Sequence, residues 1–398
     1  MDWRWGLAPA PAPVPFLEAM RLRLVIAFVL VAACGSEPAD VRARLSLSQA
    51  MATGDTSGYV RVFAPRPFRF PEDHGPHPGH RIEWWYFTGN LAATDGRRFG
   101  FQLTFFRSAQ TAVHDARTSA WAATDVWMAH FAVTDVASGR FHAFERLARG
   151  AAGLAGAEAR PLRVWVEDWE VSSSASAAAF PVRLRAASED VAVDLVLEPG
   201  KPVIAQGAGG FSAKGPEPGN ASHYYSLTRM PAAGTLTVAG EPLAVSGNAW
   251  MDREWSTSAL GANVVGWDWL ALQLDDGRDL MLYRLRRADG TADDFSGGTL
   301  TYRDGSAVQL TVSDFTLEPR GAWRSPIDGT EYPATWRAQV PRHSLDLSVT
   351  PVLQEQELNL TVRYWEGAVD AGGTVSGRGY LEMTGYSGRY SSASRSAF

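Results

Sequence analysis

The stretch Val126–Leu147, VWMAHFAVTDVASGRFHAFERL, decides the fold. Its first half, Val126 to Val136, is β-branched, aromatic and short. Asp135 to Gly139 supplies turn residues, and Arg140 to Leu147 resumes the same composition. A helix would repeat its apolar positions every three to four residues over a longer run; this pattern predicts two antiparallel strands and a tight turn.

The same texture extends in both directions. Arg97 to Arg107, Leu162 to Val171, Val191 to Leu197, Tyr224 to Met230 and Gly234 to Val238 read as strands. So do Gly266 to Leu274, Asp279 to Arg286, Leu300 to Tyr302 and Val308 to Val312. Asp275-Asp276-Gly277, Ala288-Asp289-Gly290 and Arg303-Asp304-Gly305 end in glycines able to take the positive φ that hairpins demand. Many strands joined by tight turns predict an all-β protein of antiparallel sheets, sandwich or barrel. A chain of 398 residues exceeds what one core usually organises, so two domains are expected. The longest break, Gly200 to Gly219, suggests a crossover nearby; the expected division is 61–230 and 231–390, with a disordered tail over 391–398.

The N-terminus carries a different signal. Arg21 and Arg23 precede an apolar run, Leu24 to Ala33, too short to cross a bilayer and ending at Cys34-Gly35-Ser36. Val31-Ala32-Ala33-Cys34 resembles the lipobox of bacterial lipoproteins, whose cysteine is lipidated. Residues 1–33 are therefore expected to be a signal peptide with an upstream extension, Met20 being an ordinary start, and residues 34–60 a tether. The predicted location is the cell envelope: the periplasmic side of the outer membrane if the host has one. Cys34 is the single cysteine, which excludes a disulfide framework, a thiolate metal site and a cysteine nucleophile.

Fifteen Trp, eighteen Phe and eleven Tyr accompany a net charge of only −6, with arginines scattered among acids. No basic stripe is available for phosphates, so nucleic acid is not an expected partner. Aromatic excess points instead to broad apolar surfaces, core or pocket, and to an apolar small molecule as ligand. No cofactor motif is found: there is no phosphate-cradling glycine loop, Gly-x-Ser-x-Gly elbow or His-Glu-x-x-His helix. His74, His77 and His80 recur every third residue, but without acidic or cysteine partners they do not make a specific metal site. His130 and His343, within strand patterns, read as structural.

Several segments in order resemble a known family. They are Glu83-Trp84-Trp85-Tyr86-Phe87, His223-Tyr224-Tyr225-Ser226 with Thr228-Arg229, Trp250-Met251-Asp252-Arg253-Glu254-Trp255, Gly266-Trp267-Asp268-Trp269, Tyr364-Trp365-Glu366-Gly367, and Gly377-Arg378-Gly379-Tyr380-Leu381-Glu382. Together they are similar to the AttH-like group of the lipocalin-like superfamily, which includes carotenoid 1,2-hydratase. The resemblance implies two packed calycin-type barrels and an apolar cavity. It also implies, by matched position, that His223-x-Tyr225 and Trp250-x-Asp252 stand where the hydratase has the His-x-Trp and Tyr-x-Asp pairs implicated in adding water to a carbon–carbon double bond. Exported members of this type are often labelled secreted hydrolases or transport-associated proteins.

Alternation along a strand puts Trp250, Asp252 and Glu254 on one face and Met251, Arg253 and Trp255 on the other. A carboxylic acid kept protonated by an apolar cavity could protonate an isolated alkene, and Asp252 is the candidate. Trp250, Trp267, Trp269 and Tyr225 could stabilise the resulting cation, and His223 could orient the acid or accept a proton from water. Glu83, Trp85 and Glu254 complete the expected ligand contacts. Asp252, Arg253 and Glu254 read equally as a structural ion-pair cluster, with Trp250 and Trp255 as core, and Glu83 as a buried carboxylate satisfied by a strand end or an arginine. Two functions stay open at this point, an envelope lipoprotein binding a lipid or isoprenoid-like ligand in a barrel cavity and a hydratase-like enzyme, with an accessory scaffold for an export transporter as a third.

Overall fold

A computed structural model describes residues 55–387 except 113–118, 120, 174–178, 259 and 262, together with Met1 and the short strand Leu45–Ser46. The expected signal peptide, Cys34 and the tail 391–398 lie outside the described residues. Among the described residues no helix is long and apolar enough to cross a membrane.

Two large antiparallel sheets dominate the described residues. The first contains β1 (Ile82–Ala93), β2 (Arg98–Ala109), β3 (Asp125–Asp135), β4 (Arg140–Arg149), β5 (Ala155–Ala159), β6 (Leu162–Val166), β7 (Trp169–Ser173), β8 (Val182–Ser188), β9 (Val191–Leu197), β10 (Ala221–Val238) and β11 (Glu241–Ser256). Their order is β4-β3-β2-β1-β11-β10-β9-β8-β7-β6-β5. The second contains β12 (Val264–Leu274), β13 (Asp279–Arg287), β14 (Gly297–Thr301), β15 (Ala307–Thr311), β16 (Thr316–Arg320), β17 (Thr335–Val340), β18 (Leu345–Pro351), β19 (Val362–Gly373) and β20 (Gly377–Met383), in the order β15-β14-β13-β12-β20-β19-β18-β17-β16. In each sheet the last strand pairs back onto the first, β11 on β1 and β20 on β12. The two edges are consecutive strands, β4 with β5 and β15 with β16. Each sheet is thus an up-and-down ring opened at one seam, the arrangement of a curled, nearly closed barrel.

The hairpin read from Val126–Leu147 is β3 and β4, with Gly139 at φ 68° in its turn. The expected strands Tyr224 to Met230 and Gly234 to Val238 are one strand, β10, whose register shifts between Leu227 and Met230. The expected boundary at 230/231 falls inside this strand. The chain passes from the first sheet to the second between Ser256 and Val264, because β10 and β11 form a long hairpin that closes the first ring. The Gly200 to Gly219 break holds two short strands, Ile204–Ala205 and Phe211–Ala213, both paired with β10.

Side chains fill both ring interiors. Trp85, Phe87, Phe101, Leu103, Phe131, Trp169, Leu195 and Met251 are among those inside the first; Leu270, Leu282, Leu300, Trp336, Leu347 and Leu381 are among those inside the second. The barrels meet along the outer faces of β1, β2, β10 and β11 on one side and β12, β13, β19 and β20 on the other. There Tyr86, Tyr224 and Trp250 pack against Trp269, Ala271, Met281, Ala368 and Tyr380. Approach is closest at Gly100, where a β-carbon would stand 2.7 Å from both the Ala368 methyl and the Tyr380 hydroxyl. Asn90 Nδ2 donates to the Gly379 carbonyl at 3.1 Å, and Gln273 Nε2 to the Thr228 and Ala249 carbonyls at 2.8 and 3.0 Å.

A candidate active site between the barrels

The aromatic cavity lies between the barrels, where the strands that pack them together also leave a gap. Register explains which side chains reach it. Asp252 of β11 stands opposite Tyr86 on β1 and Ser226 on β10, and Glu254 opposite Trp84 and Tyr224. On the second barrel Glu382 of β20 stands opposite Trp269 of β12 and Glu366 of β19. These residues except Ser226, and others of the same parity, Tyr364 and Trp267, line a cavity of about 100 Å³ with Phe106, Lys214, Leu260, Tyr283 and Leu285. That volume is of the order that holds one aromatic ring or a slim stretch of chain, roughly the 150 Å³ of an engineered benzene-binding cavity. A larger cleft of about 590 Å³ opens further along β1 and β11, but it is polar. Its Arg98 is already paired with Asp370, and its Arg229 with Asp279.

Asp252 is the most elaborately held acid of the cavity. Oδ1 accepts hydrogen bonds from Ser226 Oγ and from Trp250 Nε1 at 2.8 Å, and Oδ2 accepts one from Tyr224 OH at 2.7 Å. Trp269 Nε1 donates in turn to Tyr224 OH at 3.3 Å. Burial pushes the Asp252 carboxyl up to about 7, and it outweighs the three donors, which favour the ionised form. Nearby Glu254 adds to the rise. Glu254 itself is bound by Ser222 Oγ and by Lys214 Nζ at 3.1 Å. Burial opposes the Lys214 charge, but Glu254 more than restores it, and the ammonium also lies 4.9 Å from the centre of the Tyr283 ring.

The second barrel contributes two further acids. Burial lifts Glu382 to about 8; the Trp267 indole N–H, 3.1 Å from Oε1, pulls the other way, and the charges of Asp252 and Glu254 push it higher. Glu366 is raised well above the usual range, first by burial and then by Glu382. Its Oε2 accepts from Gln102 Nε2 at 2.6 Å, and hydrogen bonds from the Tyr86 and Tyr364 hydroxyls hold the rise back. Four carboxyl groups thus share the cavity with one lysine. Near neutral pH part of the set must hold protons, because ionising all of them in an apolar enclosure would be too costly.

The expected site residues divide between two faces of one sheet. Asp252, Glu254, Trp267 and Trp269 come together at the cavity, and Trp250 stands beside it, donating to Asp252. His223, Tyr225, Glu83 and Trp85 do not. Cross-strand pairing sets His223 opposite Trp255, and Tyr225 and Trp85 opposite Arg253, so all of them point into the first barrel. His223 therefore cannot orient Asp252, and Tyr225 cannot face a cation in the cavity, because successive side chains leave a strand on opposite sides. Tyr225 OH bonds His74 Nδ1 at 2.6 Å, and Trp85 Nε1 donates to the His74 carbonyl at 2.8 Å. Glu83 forms buried ion pairs with Arg107 and Arg253, as the arginine-satisfied reading expected. The expectation that tryptophan-bearing faces look into a barrel chamber is likewise corrected: the barrel interiors are packed, and the chamber lies between them.

His77 stacks on Trp255 with ring centres 3.8 Å apart and its Nε2 meets Asp73 at 3.0 Å. Among the described residues no group of histidines and acids is placed to hold a metal ion. Sequence reasoning passed over Tyr86, Tyr224, Ser226, Lys214, Tyr364, Glu366 and Glu382. Glu366 and Glu382 were present in the Tyr364–Gly367 and Gly377–Glu382 segments, but only the β19–β20 register makes them neighbours.

With the geometry in place, likeness to known proteins can be weighed. The AttH-like family model matches residues 61–386. The chain belongs to the AttH-like family. A solved protein of Nitrosomonas europaea assigned to AttH is 34% identical to this AttH-like protein, covering 82% of this chain and 99% of its own, with a TM-score of 0.73. Kievitone hydratase of Nectria haematococca shares the fold at 15% identity and TM-score 0.61, over 84% of this chain and 97% of its own. CghA, solved with Sch210972, does so at 14% identity and TM-score 0.50, over 85% and 97%. Comparison with curated proteins gives no match.

Proposed function

We propose that this AttH-like protein is an acid–base enzyme of the hydratase type, acting on an apolar molecule with an isoprenoid-like double bond held between the barrels. One observation carries the reading: Asp252, buried among Trp250, Trp269, Tyr86 and Tyr224, is poised near 7, where a carboxyl serves best as a general acid at neutral pH. Asp252 gives its proton to one alkene carbon. The cation left on the other carbon faces the indoles of Trp267 and Trp269, and water captures it. The proton released by that water returns to the Asp252 carboxylate, which the first step left ionised, so the acid is restored at each turnover. Kinship of fold with kievitone hydratase supports the class of reaction.

Simple carriage of an apolar ligand would need the aromatic walls but not the acids. Four buried carboxyl groups lining the cavity cost stability and give a carrier nothing in return. Retention at the envelope through Cys34 remains part of the proposal on the strength of residues 21–36 alone. An accessory role beside an export transporter draws no support from the cavity.

The test is incubation of the purified protein with isoprenoid alkenes and prenylated phenols in isotopically labelled water, followed by mass spectrometry. A product heavier by one labelled water is expected, abolished by Asp252→Asn. Recovery of every compound unchanged would overturn the reading.

A further inference from the structure

The carboxyl of Glu366 is shut away from solvent, with 1% of the residue exposed, yet a chain of hydrogen bonds leads from it to the surface. Gln102 Nε2 donates to both Glu366 Oε2 and Tyr364 OH, at 2.6 and 3.0 Å, and so holds the phenol beside the acid, where the Tyr364 hydroxyl also hydrogen-bonds the Glu366 carboxyl and holds back its rise. Tyr364 OH meets His130 Nδ1 at 2.7 Å. His130, wholly buried, turns Nε2 to Glu145 Oε2 at 3.2 Å. Glu145 is partly open to water and is held there by Thr361, whose hydroxyl donates to Oε1 at 2.6 Å. The path crosses from the second barrel to the first, since Tyr364 and Glu366 are on β19, His130 on β3 and Glu145 on β4.

We propose that Tyr364 and His130 form a proton relay between Glu366 and Glu145, which keeps Glu366 in proton exchange with water while a ligand seals the cavity. The inference rests on the hydratase reading in one respect: a bound substrate shuts the acids of the wall off from water, and the relay lets them follow the pH outside. Loading proceeds by transfer along existing hydrogen bonds. Protonated Glu145 gives its proton to Nε2 of His130, the Nδ1 proton moves to the Tyr364 oxygen, and the Tyr364 hydroxyl proton moves to the Glu366 carboxylate. Three protons shift by one place, no electrons are exchanged, and Glu145 is reprotonated by water. Discharge is the reverse. A tyrosine suits the middle position because its oxygen accepts from one side while its hydroxyl donates to the other. Burial holds this phenol neutral across the working range.

His130→Phe keeps a ring against Phe106 and Tyr364 but removes both nitrogens, and Tyr364→Phe removes only the hydroxyl. Both variants should bind toluene, a neutral probe of one ring, as the parent does by calorimetry. The decisive readout needs no substrate. With the cavity filled by toluene, the carboxylic-acid C=O band that disappears in Glu366→Gln is followed by infrared spectroscopy after transfer to D₂O. Its shift should be fast in the parent and slower by roughly 100-fold in both variants, the scale on which a positioned proton donor matters. Equal exchange in parent and variants, or a parent band that does not exchange once the cavity is filled, would overturn the relay. Absence of any hydration by the parent would remove the hydratase reading and leave the relay to be judged on exchange.

Discussion

Glu366 and Glu382 stand directly opposite one another on neighbouring antiparallel strands, with both carboxyls on the cavity side. Like charges in such a cross-strand position repel, and burial deepens the cost, so the folded protein holds a proton there that the unfolded chain would release. Glu382 rises from 4.5 to about 8 on folding. Its contribution to stability is therefore greatest below about pH 4.5 and is lost as pH rises through about 8.

Glu382→Gln should remove that dependence. Thermal unfolding followed from about pH 5 to about pH 8 should show the parent losing a few degrees relative to the variant, at somewhat less than the ~2–4 °C per kcal/mol of a chain of about 150–250 residues. Melting curves that stay parallel over the whole interval would contradict the raised carboxyl.

Ser226 sets the working range of Asp252. Its hydroxyl donates to Oδ1 and favours the ionised form, against the burial that favours the neutral one. Ser226→Ala removes a donor, so the Asp252 carboxyl should rise further above 7 and the alkaline limb of kcat should move to higher pH. The acid form would persist where the parent has lost it. A limb that moves to lower pH, or stays in place while the variant is folded and active, would sever the link between Ser226 and the acid.

Much of this geometry was legible in the sequence up to one decision. The β3–β4 hairpin and the glycine turn at Gly277, φ 87°, follow from local chemistry, and so does the shared face of Trp250, Asp252 and Glu254. Which face looks inward does not. Ala249 to Ser256 are buried without alternation, because one side packs into the barrel and the other against the second barrel. A strand covered on both sides carries no polar stripe to mark its orientation. Matched position in the family resemblance groups His223 with Asp252, whereas its neighbour Tyr224 is the residue that reaches it. The acids of β19 and β20 depend on a register set by chain segments far apart, which composition cannot report.

His223 supplies a clean contrast with Asp252. It lies inside the mouth of the first barrel near His80 and Trp255, with Nδ1 unpartnered. His223→Phe should leave kcat/KM within about twofold of the parent, since activity depends on the transition-state contacts it does not make. The variant should also resist acid better. Burial lowers His223 from 6.5 to about 4, so the parent's stability is full above about 6.5 and falls as pH drops toward 4, where the unfolded chain binds the proton first. Loss of activity comparable to Asp252→Asn would place His223 back in the site.

Glu83 anchors the charges beneath that mouth. Its carboxylate binds Arg107 and the wholly buried Arg253, and also accepts from the His77 backbone N–H at 3.0 and 3.1 Å. Burial works against the ionised form, but the two arginines hold this carboxyl well below the usual range. Glu83→Gln keeps the shape and removes the charge, which leaves Arg253 in the core over the Trp85 ring with no anion beside it. Breaking one partner of a buried pair typically costs ~3–5 kcal/mol. The denaturant midpoint should fall accordingly, far more than in Asp252→Asn, where burial already favours the neutral acid. Equal midpoints for the two variants would mean that water reaches Arg253 and that the first barrel is less tightly closed than its side chains imply.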